Sequence, residues 1–288
     1  MADVAFIGLG VMGFPMAGHL TKAHNVTVFN RNPARAEAWT AKYGHARAET
    51  PAAASKGAEI VLVCVGDDPD LRQVIAGKDG VLEGLSGGGI IVDHTTASAN
   101  IARELSVLCK ERRIGFIDAP VSGGQAGAEN GQLTVMCGGE AGDYARAEPV
   151  ITTYAKMCKL IGASGAGQLT KMVNQICIAG LVQGLAEAMN FGKRAGLDME
   201  AVLAVISKGA AQSWQMENRG KTMLQGKFDF GFAADWMRKD LRITMDEARR
   251  NGARLPVIAL VDQFYAQVQA QGHGRWDTSS LMSLLTDS

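Results

Sequence analysis

The sequence predicts an α/β domain built on a doubly wound parallel sheet, followed by an all-α domain. Three observations carry that expectation: β-rich runs alternate with helical patterns through the first half, a glycine motif separates the first strand from the first helix, and strand-like runs cease after about Gly167. Residues 4–7, 26–29, 60–65, 90–92 and 116–117 are short and mostly apolar, as strands buried on both faces are. Amphipathic stretches between them, such as 33–42 and 99–112, are long enough to cross over a sheet and pack on its faces. Residues 133–137 and 160–161 add further strands, which takes the sheet domain to 1–162.

From Gln168 to Arg194 there is no proline, and apolar residues occur nearly all round, the pattern of a helix buried on most sides. It is expected to be a spine linking the domains. Gly180 and Gly184, four apart, either admit a close neighbour or are simply tolerated. Residues 199–207, 235–251, 256–271 and 278–285 also suit helices, giving an all-helical domain over 163–288. At 288 residues, two domains are the natural prior.

Positive and negative side chains balance at 29 each, so no net field draws the chain to nucleic acid or to an anionic membrane. The five cysteines are odd in number, scattered and never in C-x-x-C spacing, which argues against a disulfide framework or a zinc site and for a reducing cytoplasm. No cationic, apolar leader opens the sequence. No run of about 18 uninterrupted apolar residues reads as a membrane span. A soluble cytoplasmic protein without a metal is therefore expected.

The first strand feeds into Gly8-Leu9-Gly10-Val11-Met12-Gly13, a G-x-G-x-x-G with the strand–helix context of a dinucleotide fingerprint. Gly8 permits a tight turn, Gly10 lets backbone amides approach a pyrophosphate, and Gly13 allows close helix–strand packing. The sheet domain is thus Rossmann-like. The second strand ends Phe29-Asn30-Arg31-Asn32, where NAD enzymes usually present a carboxylate to the ribose hydroxyls. Arg31 can instead pair with a 2′-phosphate, and Asn30 can hydrogen-bond it without repulsion, so NADP is favoured and NAD remains open. The plain alternatives are that Arg31 is a solvated surface charge and that Asn32 only caps a helix. Val65 and Thr96 follow later strands at the ligand-facing rim. Asp67 and Asp68 suit a helix cap, and His94, without a second ligand at metal spacing, suits a hydrogen-bonded histidine.

Four segments in order resemble the β-hydroxyacid dehydrogenase family, and the resemblance spans essentially the whole chain. They are the glycine motif extended through Phe14-Pro15-Met16, then Asp118-Ala119-Pro120-Val121-Ser122-Gly123-Gly124 with Gly127 and Gly131, then Gly162–Gly167 with Lys171 and Asn174, then Lys239-Asp240-Leu241 with Asp246. The resemblance implies that Ser122, Gly123 and Gly124 bind substrate. Physically they offer a hydroxyl and unencumbered amides able to form an anion-binding nest for a carboxylate, or else a glycine turn without a ligand. It also implies that Lys171 is the general acid/base, near the start of the spine helix, where its amine can face the cleft between the domains. Burial and a cationic nicotinamide would lower its usual pKa of about 10.4. Asn174 shares its helix face and would hold the substrate; the family pattern is often written with asparagine at the next position, here Gln175. Lys239 would approach the nicotinamide end or the substrate, with Asp240 orienting it; a rival assignment makes Lys239 the proton donor. Phe230, Phe232 and Trp236 suit either apolar walls of the site or core.

With Gln125 after the glycine pair, the segment carries no arginine for a second acid group, so a small monocarboxylate fits. The implied reaction interconverts a 3-hydroxyisobutyrate-type acid and its semialdehyde. Alternatives are reduction of tartronate or succinic semialdehyde, or an NADP-binding module without chemistry. The retained Lys171 disfavours that module and an imine reductase, and the chain length disfavours a decarboxylating 6-phosphogluconate dehydrogenase. The family commonly forms homodimers or homotetramers.

Overall fold

A computed structural model describes residues 1–286; the last two positions of the domain expected over 163–288 lie outside the described residues. The chain divides into two compact units, 1–171 and the part from Met172 onward. In the first unit the strands are β1 (Asp3–Ile7), β2 (Asn25–Phe29), β3 (Ala46–Arg47), β4 (Ile60–Val63), β5 (Ile90–Asp93), β6 (Gly115–Asp118), β7 (Val121–Ser122), β8 (Leu133–Gly139) and β9 (Ala155–Gly162). Its helices are α1 (Gly13–Leu20), α2 (Pro33–Tyr43), α3 (Pro51–Ser55), α4 (Asp68–Ala76), α5 (Val81–Gly84), α6 (Ala99–Glu111), α7 (Gly124–Glu129) and α8 (Ala141–Ile151).

The sheet order is β3-β2-β1-β4-β5-β6-β8-β7, with β9 also paired to β8. The first six strands of that order are parallel, and β8 runs antiparallel to β6 and β7. Alternate residues of one strand serve opposite faces, as the period of two requires. Val4 and Phe6 of β1 join a core with Met16, Leu20 and Trp39 of α1 and α2, whereas Ala5 and Ile7 join one with Leu71, Ile75, Ile101 and Leu105 of α4 and α6. Helices on both faces make the sheet doubly wound, as the alternation predicts.

Local chemistry sets the helix starts. Asn32 caps α2 by accepting the Ala34 amide at 3.1 Å, with Pro33 in the first turn, and Ser98 caps α6 by accepting the Ile101 amide at 3.0 Å. Asp67 accepts the Asp68 amide, and Asp68 holds Ser98 through its amide at 2.8 Å and its hydroxyl at 2.6 Å. His94 is buried: Nδ1 lies 2.7 Å from Ala119 O and Nε2 lies 2.8 Å from the Tyr154 hydroxyl. Burial pushes its pKa down to about 4, so the ring is neutral, donates at Nδ1 and accepts from Tyr154 at Nε2.

Helix α9 (Ala166–Arg194) carries the chain from the first unit into the second, which adds α10 (Met199–Ile206), α11 (Trp214–Leu224), α12 (Ala234–Asn251), α13 (Pro256–Ala270) and a 3-10 helix at Thr278–Leu284. Its core gathers Met189, Met223, Met237, Leu241, Tyr265 and Leu281. The expectation that α9 is buried on most sides is corrected: Val173, Leu181 and Phe191 are exposed at 61%, 38% and 74%, and Cys177 is exposed too. The apolar residues are distributed all round, but the chain's own elements cover only part of the helix. By length and composition α9 also meets the criterion for a membrane-crossing helix, one that core helices satisfy equally.

Candidate active site

Gly8 adopts φ +100°, a conformation that favours glycine, and a Cβ there would fall 2.2 Å from Cys64 O. At Gly13 a Cβ would fall 2.0 Å from Gly8 O, so the absent side chain lets α1 close onto the loop. Gly10 differs: nothing lies within 4 Å of a Cβ built there, so its backbone borders open space. No side chain caps α1, and no acidic residue stands in its first turn. That end of the helix therefore suits the phosphates of a dinucleotide. Leu9, between the glycines, is tied down twice: its amide donates to Asn30 Oδ1 at 2.8 Å, and its carbonyl accepts Arg35 Nε at 3.1 Å. Neither Val11 nor Met12 is buried.

A pocket of about 150 Å³ opens where β2 ends, lined in part by Asn30, Arg31, Arg47 and Glu49. The Arg31 side chain is 90% exposed and pairs with Asp70 at 3.1 Å, while Arg47 pairs with Glu49 at 2.8 Å and Glu37 at 3.5 Å. Sequence reasoning does not single out Arg35 or Arg47. The signal for Arg35 is its spacing of four from Arg31 as α2 begins; Arg47 carries none, because only the β2–β3 pairing brings it to the pocket. Across the rim, the Val65 amide donates to Thr95 Oγ1 at 3.1 Å, and Thr96 is half-buried next to it in sequence.

β5 and β6 end in the paired residues Asp93 and Asp118, both fully buried. Desolvation pushes the Asp93 carboxyl up to about 8 and that of Asp118 up to about 6, the latter against the pull of backbone N–H donors. Asp118 accepts the amides of Gly165 and Gln168, and Lys171 follows on the next turn of α9, itself only 7% exposed. Ser122 is half-buried on β7; Gly123 and Gly124 are exposed with φ of +129° and +63°, and a Cβ on Gly124 would meet nothing within 4 Å.

In the second unit a polar chain runs along α9 and α12. Asn174 Nδ2 donates to Gln175 Oε1 at 2.8 Å, buried Gln175 Nε2 donates to Asp240 Oδ2 at 2.7 Å, and Lys239 Nζ lies 3.1 Å from Asp240 Oδ1. Gln175 is thus engaged at both ends of its amide, and Asn174, half-buried, has its carbonyl oxygen on the outer end of the chain. Lys239 also sits 5.7 Å from the ring centre of Trp236. Phe232 packs on the core, while Phe230 and Trp236 are exposed at 37% and 40%.

The family model described as the NAD binding domain of 6-phosphogluconate dehydrogenase matches residues 3–162, and that described as NAD-binding of NADP-dependent 3-hydroxyisobutyrate dehydrogenase matches 165–285. The chain belongs to the β-hydroxyacid dehydrogenase family. This β-hydroxyacid dehydrogenase is 63% identical to an uncharacterized oxidoreductase of Shewanella frigidimarina, over 100% of this chain and 99% of that one. It is 38% identical to a probable mitochondrial 3-hydroxyisobutyrate dehydrogenase-like protein of Arabidopsis thaliana, over 98% and 84% of the two chains. Among solved structures, it is similar to a Mycobacterium tuberculosis 3-hydroxyisobutyrate dehydrogenase with L-serine, at TM-score 0.90 and 29% identity over all of both chains. It is an NAD(P)-dependent oxidoreductase of the hydroxyacid dehydrogenase type.

Proposed function

We propose that this enzyme prefers NADP and interconverts a small 3-hydroxy acid of the 3-hydroxyisobutyrate type with its semialdehyde. The single observation that carries the reading is a buried lysine, Lys171, in the turn of α9 that follows the Asp118-held amides. A lysine this buried, within a segment that resembles the family's catalytic one, is a candidate acid/base group. A bound nicotinamide supplies or accepts the hydride. Lys171 handles the proton: as the neutral amine it takes the hydroxyl proton during oxidation, and as the ammonium it returns a proton to the aldehyde oxygen during reduction. Asn174, one helical turn on, orients the substrate oxygen through a neutral amide. Ser122, Gly123 and Gly124 hold the carboxylate, and Lys239, braced by Asp240, serves the substrate and the nicotinamide end. Gln125 Nε2 is bonded to Glu129 at 2.8 Å, which leaves this segment suited to a single carboxylate.

Gly8, Leu9, Gly10, Val11, Met12 and Gly13 hold the pyrophosphate, with Val65 and Thr96 lining the path toward the nicotinamide. Asn30 braces the glycine loop, and Arg31 takes the 2′-phosphate. Its present partner Asp70 costs little to exchange, because exposed ion pairs contribute about 0–1 kcal/mol whereas a charge-assisted bond to phosphate contributes roughly 1.5–3 kcal/mol. The exposed apolar side chains of α9 support a homodimer or homotetramer, and five free cysteines suit the cytoplasm.

The test is a steady-state screen of 3-hydroxyisobutyrate, serine, glycerate, 4-hydroxybutyrate and their semialdehydes with NAD(H) and NADP(H). The expected result is highest kcat/KM for a 3-hydroxy acid with NADP(H). Arg31→Ala should raise KM for NADPH by about 10- to 100-fold, from the same phosphate contact, and leave KM for NADH unchanged. Preference for NADH in the unmodified enzyme overturns the assignment of Arg31.

A further inference from the structure

The amino end of α9 is fixed to the sheet by two side chains that the reaction as proposed does not use. Asp118 Oδ1 accepts the Gly165 amide at 2.7 Å and its Oδ2 accepts the Gln168 amide at 2.9 Å, so one buried carboxylate serves two of the N–H groups at the start of the helix. Gly167 closes the joint: a Cβ there would lie 2.4 Å from the carbonyl oxygens of both Asp118 and Met136. Gln168, also fully buried, reaches the neighbouring strand end. Its Nε2 donates to Thr95 O at 2.7 Å, and its Oε1 accepts the Ala97 amide at 3.0 Å. Both bonds grip the backbone on either side of Thr96. Two adjacent strand ends therefore clamp the first turn of α9, and Lys171 lies three residues beyond Gln168 on the next turn.

We propose that Gln168 and Asp118 are positioning residues: together they form a strut that sets the register of the Lys171 amine against the loop bearing Thr96. The inference rests on Lys171 being the acid/base residue. A simple helix cap would need only Asp118. Gln168 adds a different function, because it joins the helix to that loop rather than to its own strand, and proton transfer is sensitive to displacements well below 1 Å. Proton and hydride transfer can then share one rigid frame.

The test uses Gln168→Met, which keeps the shape and removes both bonds, and Gln168→Glu, which keeps the acceptor for Ala97. Oxidation of 3-hydroxyisobutyrate with NADP+ is measured beside NADPH affinity by fluorescence titration and amide hydrogen exchange over residues 165–171. In Gln168→Met, kcat should fall at least tenfold while the NADPH Kd stays within twofold, exchange at 165–171 should rise, and Gln168→Glu should recover part of kcat. Asp118→Asn, which keeps one acceptor, should give the same split and serves if Gln168→Met does not fold. A loss in kcat below tenfold, or one matched by an equal loss of NADPH affinity, overturns the strut. If Lys171→Met retains full turnover, the acid/base reading fails as well; if Lys171→Met is inactive while Gln168→Met stays within tenfold, only the strut fails.

Discussion

Gly10 and Gly13 stand three residues apart in one motif, and the structure gives them opposite reasons for being glycine. A Cβ at Gly13 would lie 2.0 Å from Gly8 O and 2.9 Å from the Phe6 ring, where ordinary contact begins at 3.4 Å. In Gly13→Ala either α1 or the loop has to move by roughly 1 Å, at a cost near the upper end of overpacking, about 3 kcal/mol. At about 2–4 °C per kcal/mol, the melting temperature of the first unit should fall by about 6–12 °C. A Cβ at Gly10 meets nothing within 4 Å, so Gly10→Ala should leave stability within about 0.5 kcal/mol. Its methyl group instead enters the space proposed for the pyrophosphate, and the same overpacking range of about 1–3 kcal/mol, now charged to binding, weakens NADPH roughly 5- to 150-fold. Differential scanning fluorimetry and NADPH fluorescence titration of the two variants separate these effects. Wild-type NADPH affinity in a fully folded Gly10→Ala would refute the reasoning about the loop.

Asp93 provides a pH-dependent test. Its folded pKa is raised by burial from 3.8 to about 8, so the native state binds the proton more tightly than the unfolded chain, and this contribution is present at low pH and lost as pH rises. Asp93→Asn, which keeps an acceptor for the Thr95 amide, should gain on the wild type by about 1.4 kcal/mol per pH unit between about pH 4 and 8 in urea unfolding, then level off; a gap independent of pH contradicts this. Tyr154→Phe strips His94 Nε2 of its buried partner and should cost about 1–3 kcal/mol, equally at pH 6 and 8 because the imidazole is already neutral. A cost that is larger at pH 6 than at pH 8 would mean that the ring is charged there and loses an acceptor for its Nε2–H.

The strands that the sequence displays most clearly are those buried on both faces. β1, β4 and β5 carry near-continuous apolar runs because helices cover both of their faces, whereas β2 alternates, with Val26 and Val28 buried and Thr27 half-buried between them. β9 is longer than its legible part at 160–161: exposed Lys156 and Lys159 interrupt the apolar pattern, as befits a strand that is largely solvated. β3 and β7 are two residues each and exist through pairing rather than pattern. α11 escapes the sequence because its buried positions, Met216, Gly220 and Met223, include a glycine that no hydropathy pattern registers. At the site, the glycine motif is legible since it acts within one turn of chain. The Leu9–Asn30, Asp118–Gly165 and Gln168–Thr95 bonds are not, spanning 21, 47 and 73 residues that only the sheet order brings together.

The central claim is that the Lys171 amine carries the proton of the reaction. Lys171→Met removes that amine while keeping an unbranched side chain in the buried space. Measured side by side, oxidation of 3-hydroxyisobutyrate should fall by about 10²–10⁴-fold, the usual contribution of general acid/base catalysis, with the NADPH Kd unchanged. Turnover within a few-fold of the unmodified enzyme, in a folded variant that binds NADPH normally, would contradict the account.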